Sequence, residues 1–226
     1  MLQAVILAGG QATRMRPYTD DRPKAMVEVA GLPIIEHQIR WLVTNDVHKI
    51  VVSCGYKADM LEDFLGDGSR HNAQITYAIE TEPLGRGGGL KFAARHLPDT
   101  EGIWLAMNGD VISDLKVKDL VDRHNELGVT ATVALAPYQS SWGVAELEGN
   151  LIRGFVQSPK LPYWINAGIY CMSPSIIEMF PDIGDHEEST FPELATTGRL
   201  GAFFIEGYWR GIDTAKDLKE ASQELK

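Results

Sequence analysis

The apolar positions of this chain change their spacing in a regular alternation. "QAVILA" (3–8) and "KIVVSCG" (49–55) are unbroken apolar runs, as in parallel strands covered on both faces. Between them "PIIEHQIRWLVTND" (33–46) repeats its apolar residues every three or four positions and predicts an amphipathic helix. "ADMLEDFLG" (58–66) predicts a short helix and "QITYAIE" (74–80) a third strand. "RGGGLKFAARHL" (86–97) reads as a helix once past its glycines, and "GIWLAMNGD" (102–110) as a fourth strand ending in Asp110. "KVKDLVDRHNELG" (116–128) is a helix with a glycine stop. Strands alternating with helices over short connections predict an α/β fold with a doubly wound, mostly parallel sheet.

After Gly128 the rhythm changes. "VTATVALAP" (129–137), "GVAELE" (143–148) and "LIRGFVQ" (151–157) are strands without helices between them, and "EGNL" (148–151) predicts a hairpin turn. "WINAGIYCM" (164–172) is a further strand, "PSIIEMF" (174–180) a helix behind a proline start, and "FPELATTG" (191–198) a second short helix. "GAFFIEGYWRGID" (201–213) holds one or two strands, and "TAKDLKEASQELK" (214–226) a final amphipathic helix. With no repeat, low-complexity tract or linker, the expectation is one domain over 1–226, alternating in 1–128 and mixed in 129–226.

Composition narrows the possibilities. The chain has 226 residues, 44% of them hydrophobic, enough for one large core. No apolar run approaches the roughly 20 residues needed to cross a bilayer, and "MLQAVILAGG" lacks the cationic lead of a secretory signal, so the expected place is the cytoplasm. Cys54 and Cys171 sit in apolar runs, which suits buried thiols better than a disulfide. A net charge of -10 argues against a general nucleic-acid surface. Against that background "LAGGQATRMRPYTDDRPK" (7–24) stands out, since Arg14, Arg16, Arg22 and Lys24 crowd together after the first strand.

In an open parallel sheet that loop faces the ligand crevice. Alone, Gly9 and Gly10 read as a tight turn. With the cations nearby they become a phosphate cradle, in which backbone N–H groups approach the ligand and Arg14 and Lys24 supply charge. The segment lacks the Gly-Lys-Ser/Thr of a P-loop and the third glycine of the dinucleotide fingerprint. Arg16 and Arg22 read as solvated cations as readily as ligand groups.

"VILAGGQATRMRPYTDDRPKAMVEVAGLPIIEH" resembles the signature of the sugar-1-phosphate nucleotidyltransferases, G-G-x-G-T-R-L-x-P-x-T followed by P-K and a further proline. Gly9, Gly10, Thr13, Arg14, Pro17, Thr19, Pro23, Lys24 and Pro33 match, while Ala12 stands in the place of the second signature glycine. "EPLGRGGGL", "NGD", "WGVAELEG", "INAGIY" and "GYWRGIDT" follow in the family's order, so the resemblance covers nearly the whole chain. It implies a Rossmann-like nucleotidyltransferase fold, with 1–128 as the nucleotide-binding half and 129–226 as the sugar-binding half. It also implies nucleotidyl transfer from an NTP to a sugar 1-phosphate with release of pyrophosphate.

Carried over residue by residue, the resemblance makes Arg14 and Lys24 the catalytic cations. Leu7, Ala8, Gly9, Gly10 and Thr13 line the nucleotide, joined by Glu80, Pro83 and Gly85 on the base side. Asp110, at a strand end behind Gly109, suits Mg²⁺ or Mn²⁺, an ion commonly held by one or two carboxylates plus substrate oxygens. The family's second carboxylate lies in W-x-D-x-G-T. Here the order is Trp209, Arg210, Gly211, Ile212, Asp213, Thr214, with Asp and Gly exchanged. Positions 211 and 213 of an extended strand face one side but lie roughly 7 Å apart. Asp213 therefore reaches the metal only if the strand is shifted, and that role is the expectation over a plain cap of the last helix.

Gly143, Asn166 and Gly168 match the sugar-contact region. Where relatives have Glu-Lys-Pro, this chain has Gln157, Ser158 and Pro159, and Lys160 is the nearest replacement for the lysine expected on the sugar phosphate. A carboxylate at Glu80 only accepts hydrogen bonds, which suits the adjacent donors of guanine. GTP with mannose 1-phosphate, or a related hexose or heptose, is thus the favoured pair. Uridylyl or thymidylyl transfer to glucose 1-phosphate or an amino sugar 1-phosphate is the enzyme alternative. An inactive nucleotide-sugar-binding regulatory subunit is the other, motivated by Ala12, Ser158 and the exchanged Gly211 and Asp213. The expected partners are the two substrates, with no nucleic acid and no membrane, and a homo-oligomer is left open. The six histidines share no spacing that suggests zinc or catalysis, Trp41 and Trp104 read as core, and "GDHEEST" (184–190) as a solvated loop.

Overall fold

The structure, a computed structural model, describes residues 2–10 and 13–225. Its first half threads β1 (Gln3–Leu7), a small ribbon of β2 (Glu28–Val29) and β3 (Leu32–Pro33), α1 (Ile34–Thr44), β4 (Lys49–Cys54), α2 (Ala58–Leu65), β5 (Gln74–Ile79), α3 (Gly85–Ala94), β6 (Trp104–Asn108), β7 (Val111–Ser113) and α4 (Val117–Leu127). The second half adds β8 (Ala131–Gln139), β9 (Gly143–Glu148), β10 (Leu151–Gln157), β11 (Lys160–Met172), α5 (Thr190–Thr196), β12 (Leu200–Phe204), β13 (Trp209–Gly211) and α6 (Ala215–Glu224).

Among the described residues the main sheet has seven strands in the order β12-β8-β11-β6-β1-β4-β5. β1 runs parallel to both β4 and β6, and β4 to β5. β11 runs against both of its neighbours, β6 and β8, and joins the halves of the chain in one sheet. Helices cover both faces. Ile35 and Ile39 of α1, Leu61 of α2 and Leu120 of α4 pack on one face, and Leu90 of α3 and Leu194 of α5 on the other. Strands apolar on both sides are what such a sandwich requires. A third cluster seats α6, through Leu218 and Ala221, on Met15, Val29, Ile34 and Ile212. No helix among the described residues is long and apolar enough to cross a membrane.

Some expectations need correction. α3 begins at Gly85 and contains its glycines, because a loop packs against them and replaces the side-chain contacts they lack. A side chain at Gly88 would run into the Asp182 carbonyl. Asp110 does not end β6 but sits in the turn before the three-residue β7. β11 starts at Lys160, earlier than its apolar pattern suggests, since Lys160–Tyr163 are largely exposed.

The segment read as a solvated loop is half-buried. Asp185 and Glu187 pair with Arg86, while His186 is fully buried among the rings of Tyr170, Phe180 and Phe191, 4.7–5.8 Å away between centroids. Burial pushes the His186 imidazole down from 6.5 to about 4, Arg86 adds to the shift and Asp185 opposes it. The unfolded chain therefore binds a proton between pH 6.5 and 4 that the folded chain refuses, so stability falls as pH drops through that window. The expected loss is about 3 kcal/mol between pH 6.5 and 4. Urea unfolding at the two ends of the window should show it, and His186→Leu should flatten the acid limb.

Candidate active site

The end of β1 is fastened on both sides. The Ala8 N–H donates to the Ser53 carbonyl at 2.7 Å, and the Gly109 N–H to the Leu7 carbonyl at 2.8 Å. Ala8 is buried, Gly9 is half-buried and Gly10 is exposed, while Ala12 lies outside the described residues. Two single 3₁₀ turns then carry the cations. Thr13–Met15 bears Arg14 and is anchored by buried Met15, and Lys24–Met26 follows Pro23 and is anchored by buried Ala25.

The four cations divide into two pairs. Arg16 and Arg22 meet their near neighbours Asp20 (3.4 Å) and Asp21 (2.9 Å), which are contacts within the loop. Lys24 and Arg14 reach across the chain instead. Lys24 Nζ lies 2.6 Å from Asp110 Oδ2 and 2.9 Å from Asp213 Oδ1, and Arg14 lies 3.7 Å from the same Asp213 oxygen. The Lys24 side chain is 14% exposed and that of Asp213 52%, so the cluster sits at the rim of the crevice.

Asp213 arrives there because β13 pairs antiparallel with β7, with Gly211 opposite Val111, and the Ile212 N–H donates to the Asp110 carbonyl at 2.8 Å. A Cβ built on Gly211 would lie 4.0 Å from Asp213 Oδ2, so a side chain at 211 would point toward the place this carboxylate occupies. Helix α6 is capped by Thr214, whose hydroxyl accepts from the Asp217 N–H while the Asp217 carboxylate accepts from the Thr214 N–H. The Asp213 carboxylate is thus free of the capping role. Two carboxylates converging on one Lys ammonium form a donor pair that suits a small, hard divalent cation. Among the described residues no group of three or more His, Cys, Asp or Glu side chains adds to it.

On one side of the loop after β1, Glu80 leaves the end of β5. Its Oε1 accepts from the Ser53 hydroxyl at 3.0 Å and its Oε2 from the Leu84 N–H at 3.2 Å, fixing the carboxylate beside Gly9. Pro83 is exposed, and Gly85 opens α3 with φ +77°.

On the other side, Gly168 takes φ +68° in β11, and a Cβ there would come within 2.6 Å of the Asn108 side chain. Asn166 is held tightly. Its Oδ1 accepts from the Gly168 N–H at 2.8 Å, and its amide donates to Tyr170 and to Glu187 Oε1 at 2.9 Å. Arg86 donates to that same Glu187 oxygen at 2.7 Å and to Asp185 Oδ2 at 2.7 Å. Gly143 and Lys160 belong to neither cluster. Gly143 lies opposite Gln157 under the Phe155 ring at the root of the β9–β10 hairpin, and Lys160 lies opposite Gln139 with no ion pair among the described residues. Ser158, in the bend between β10 and β11, takes φ +51°.

Sequence reasoning did not select Arg86, Asp185, Glu187 or Gln38. Gln38 is buried and its amide donates to the carbonyls of Asn108 and Val111, both at 2.8 Å, bracketing the Asp110 turn. The only available signal was a lone arginine in a glycine run and an amide on the apolar face of a helix.

The Nucleotidyl transferase family matches the chain over residues 3–226. The mannose-1-phosphate guanyltransferase of Aspergillus oryzae is 35% identical over 228 residues, covering 96% of this chain and 62% of its own length. Mannose-1-phosphate guanylyltransferase 1 of Arabidopsis thaliana is 35% identical over 227 residues with the same coverage. The chain thus spans about 62% of the length of these curated relatives. The crystal structure of HddC from Yersinia pseudotuberculosis complexed with GMP-PN is 28% identical, with a TM-score of 0.80 and full coverage of both chains. A putative glucose-1-phosphate thymidylyltransferase structure from Bacillus anthracis, 21% identical with a TM-score of 0.79, shares the fold.

Proposed function

The chain belongs to the nucleotidyl transferase family, and we propose that it transfers a guanylyl group from GTP to mannose 1-phosphate, or to a closely related hexose or heptose 1-phosphate, releasing pyrophosphate. The observation that carries this reading is the meeting of Lys24 and Arg14 with Asp110 and Asp213 beside the loop after β1. Attack by a sugar-phosphate oxygen on the α-phosphorus forms one P–O bond and breaks that to the bridging oxygen, which leaves on pyrophosphate with the electron pair. Two polyanions must be brought together for this step, so catalysis rests on positioning and charge neutralisation. Lys24, largely shielded from water, acts near the α-phosphate and the incoming sugar phosphate. Arg14, exposed at the rim, grips the triphosphate and the departing pyrophosphate. Asp110 and Asp213 would hold Mg²⁺ or Mn²⁺, which supplies neutralisation of phosphate charge when bound.

Guanine is favoured on two grounds. Glu80 offers a fixed acceptor to adjacent ring donors, and the two curated relatives are named guanylyltransferases. The meeting of two cations with two carboxylates favours an enzyme over an inactive regulatory subunit. Four NTPs screened against mannose, glucose, heptose and N-acetylglucosamine 1-phosphates, with pyrophosphate release as readout, should single out GTP with a manno-configured sugar. Release only with UTP or dTTP and glucose 1-phosphate would overturn the base and sugar assignment. No release with any pair would overturn the enzyme.

A further inference from the structure

β11 runs against β6 and continues past its carboxyl end, so the residues before Gly168 overhang the crevice. Trp164 and Asn166 alternate along β11 and share one face. Asn166, Leu135 and Phe204 lie in one row across β11, β8 and β12. The Trp164 and Phe204 rings stand edge to face, 4.6 Å apart between centroids, and both are half-exposed. Next to Asn166, the loop before α5 brings in Glu187.

The two carboxylate oxygens of Glu187 differ. Oε1 receives the Asn166 amide at 2.9 Å, the Tyr170 hydroxyl at 3.2 Å and Arg86 at 2.7 Å. The Glu187 N–H is held in turn by Asp185 Oδ1 at 2.9 Å. Oε2 has no donor among the described residues, and with the side chain 26% exposed it opens to solvent. Asn166 is spent in the same network. Its amide hydrogens go to Glu187 and to the Tyr170 hydroxyl, and its oxygen takes the Gly168 N–H, so it has no donor left for a ligand. Capacity toward a ligand stays with Glu187 Oε2.

Charge decides what that oxygen takes. A carboxylate only accepts and repels a phosphate, and the Arg86 guanidinium on its other oxygen works against a metal ion. A hydroxyl fits. Beside a half-exposed indole it fits as part of a sugar, whose C–H face packs on an aromatic ring while its hydroxyls stay at the edge.

We propose that Glu187 and Trp164 select the acceptor: one sugar hydroxyl donates to Glu187 Oε2 while the ring lies on Trp164, and Asn166 is a positioning residue that holds the carboxylate. This rests on nucleotidyl transfer to a sugar 1-phosphate as the reaction. It orients that substrate, with its phosphate toward Lys24 and its hydroxyls toward β11.

The test is pyrophosphate release at saturating GTP, with mannose 1-phosphate and its 2-, 3-, 4- and 6-deoxy analogues. Glu187→Gln is the informative variant, because its amide oxygen can still receive the same donors while an NH₂ group replaces Oε2. It should lower kcat/KM for mannose 1-phosphate at least about tenfold and leave the KM for GTP within about twofold. One deoxy analogue should cost wild type the same factor, and on that analogue wild type and Glu187→Gln should converge. Asn166→Ala should converge on the same analogue, as expected of a residue acting through Glu187. Trp164→Ala should raise the acceptor KM about fivefold, with most of the loss restored in Trp164→Phe. An equal loss on every acceptor in Glu187→Gln would mark a structural role and overturn the assignment, and so would convergence of Asn166→Ala on a different analogue. An unchanged acceptor KM in Trp164→Ala would remove the indole from the site. Active wild type with an equally active Glu187→Gln would overturn the acceptor assignment and leave the reaction standing, whereas no release by wild type would overturn both.

Discussion

Lys24→Ala is expected to lower turnover by at least about a hundredfold while the protein stays folded, because the charge it removes acts on the developing transition state in a site partly closed to water. The structure adds a second readout. In the ligand-free chain Lys24 is the only cation within hydrogen-bond distance of both Asp110 and Asp213 among the described residues. Without it Asp110 loses its cation and Asp213 keeps only the 3.7 Å contact to exposed Arg14, and the variant should be less stable than wild type in EDTA. Mg²⁺ should then raise its melting temperature more than that of wild type, since no ammonium competes for the same oxygens. Near-normal turnover, or an equal response to Mg²⁺ in both proteins, would remove Lys24 from the catalytic role.

Asp213 and Thr214 should separate cleanly although they are adjacent. Asp213→Ala is expected to raise the Mg²⁺ requirement at least tenfold with little change in the unfolding curve, because the helix cap is supplied by Thr214 and Asp217. Thr214→Ala should do the reverse, costing about 1 kcal/mol of stability with unchanged metal dependence. The exchanged pair Gly211→Asp with Asp213→Gly should recover part of the activity lost in Asp213→Ala, since a Cβ at 211 would lie 4.0 Å from Asp213 Oδ2, beside the carboxylate it replaces. A metal titration of the three folded variants decides it. An unchanged half-saturation in Asp213→Ala would leave Asp110 as the sole carboxylate ligand.

The parallel half of the fold was legible because strands covered on both faces, such as "QAVILA" and "KIVVSCG", must be apolar throughout. The start of α3 was not, since glycines carry no periodicity and what holds Gly85, Gly87 and Gly88 is the distant loop of Pro181 to His186. β7 was missed because three residues show no alternation. Arg14, Lys24, Asp110 and Asp213 were chosen from the sequence, and the structure brings these four together. How Asp213 gets there was hidden, because it depends on the register of β13 against β7 and not on the spacing within one strand. Arg86 and Glu187 were invisible for the same kind of reason. Their pairing spans 101 residues and leaves no local mark.

The backbone of "GRGGGL" meets that of the loop carrying Asp185 and Glu187 with no room for side chains, and at Gly85 an added methyl would stand 2.6 Å from the Gly184 carbonyl oxygen. In terms of information, a position where one residue of the twenty is tolerated says more than any charged or aromatic position on the surface. A homology search or a library design that masks "RGGG" as filler would throw away the most constrained letters in this part of the chain, and with them the contact that sets where Glu187 stands.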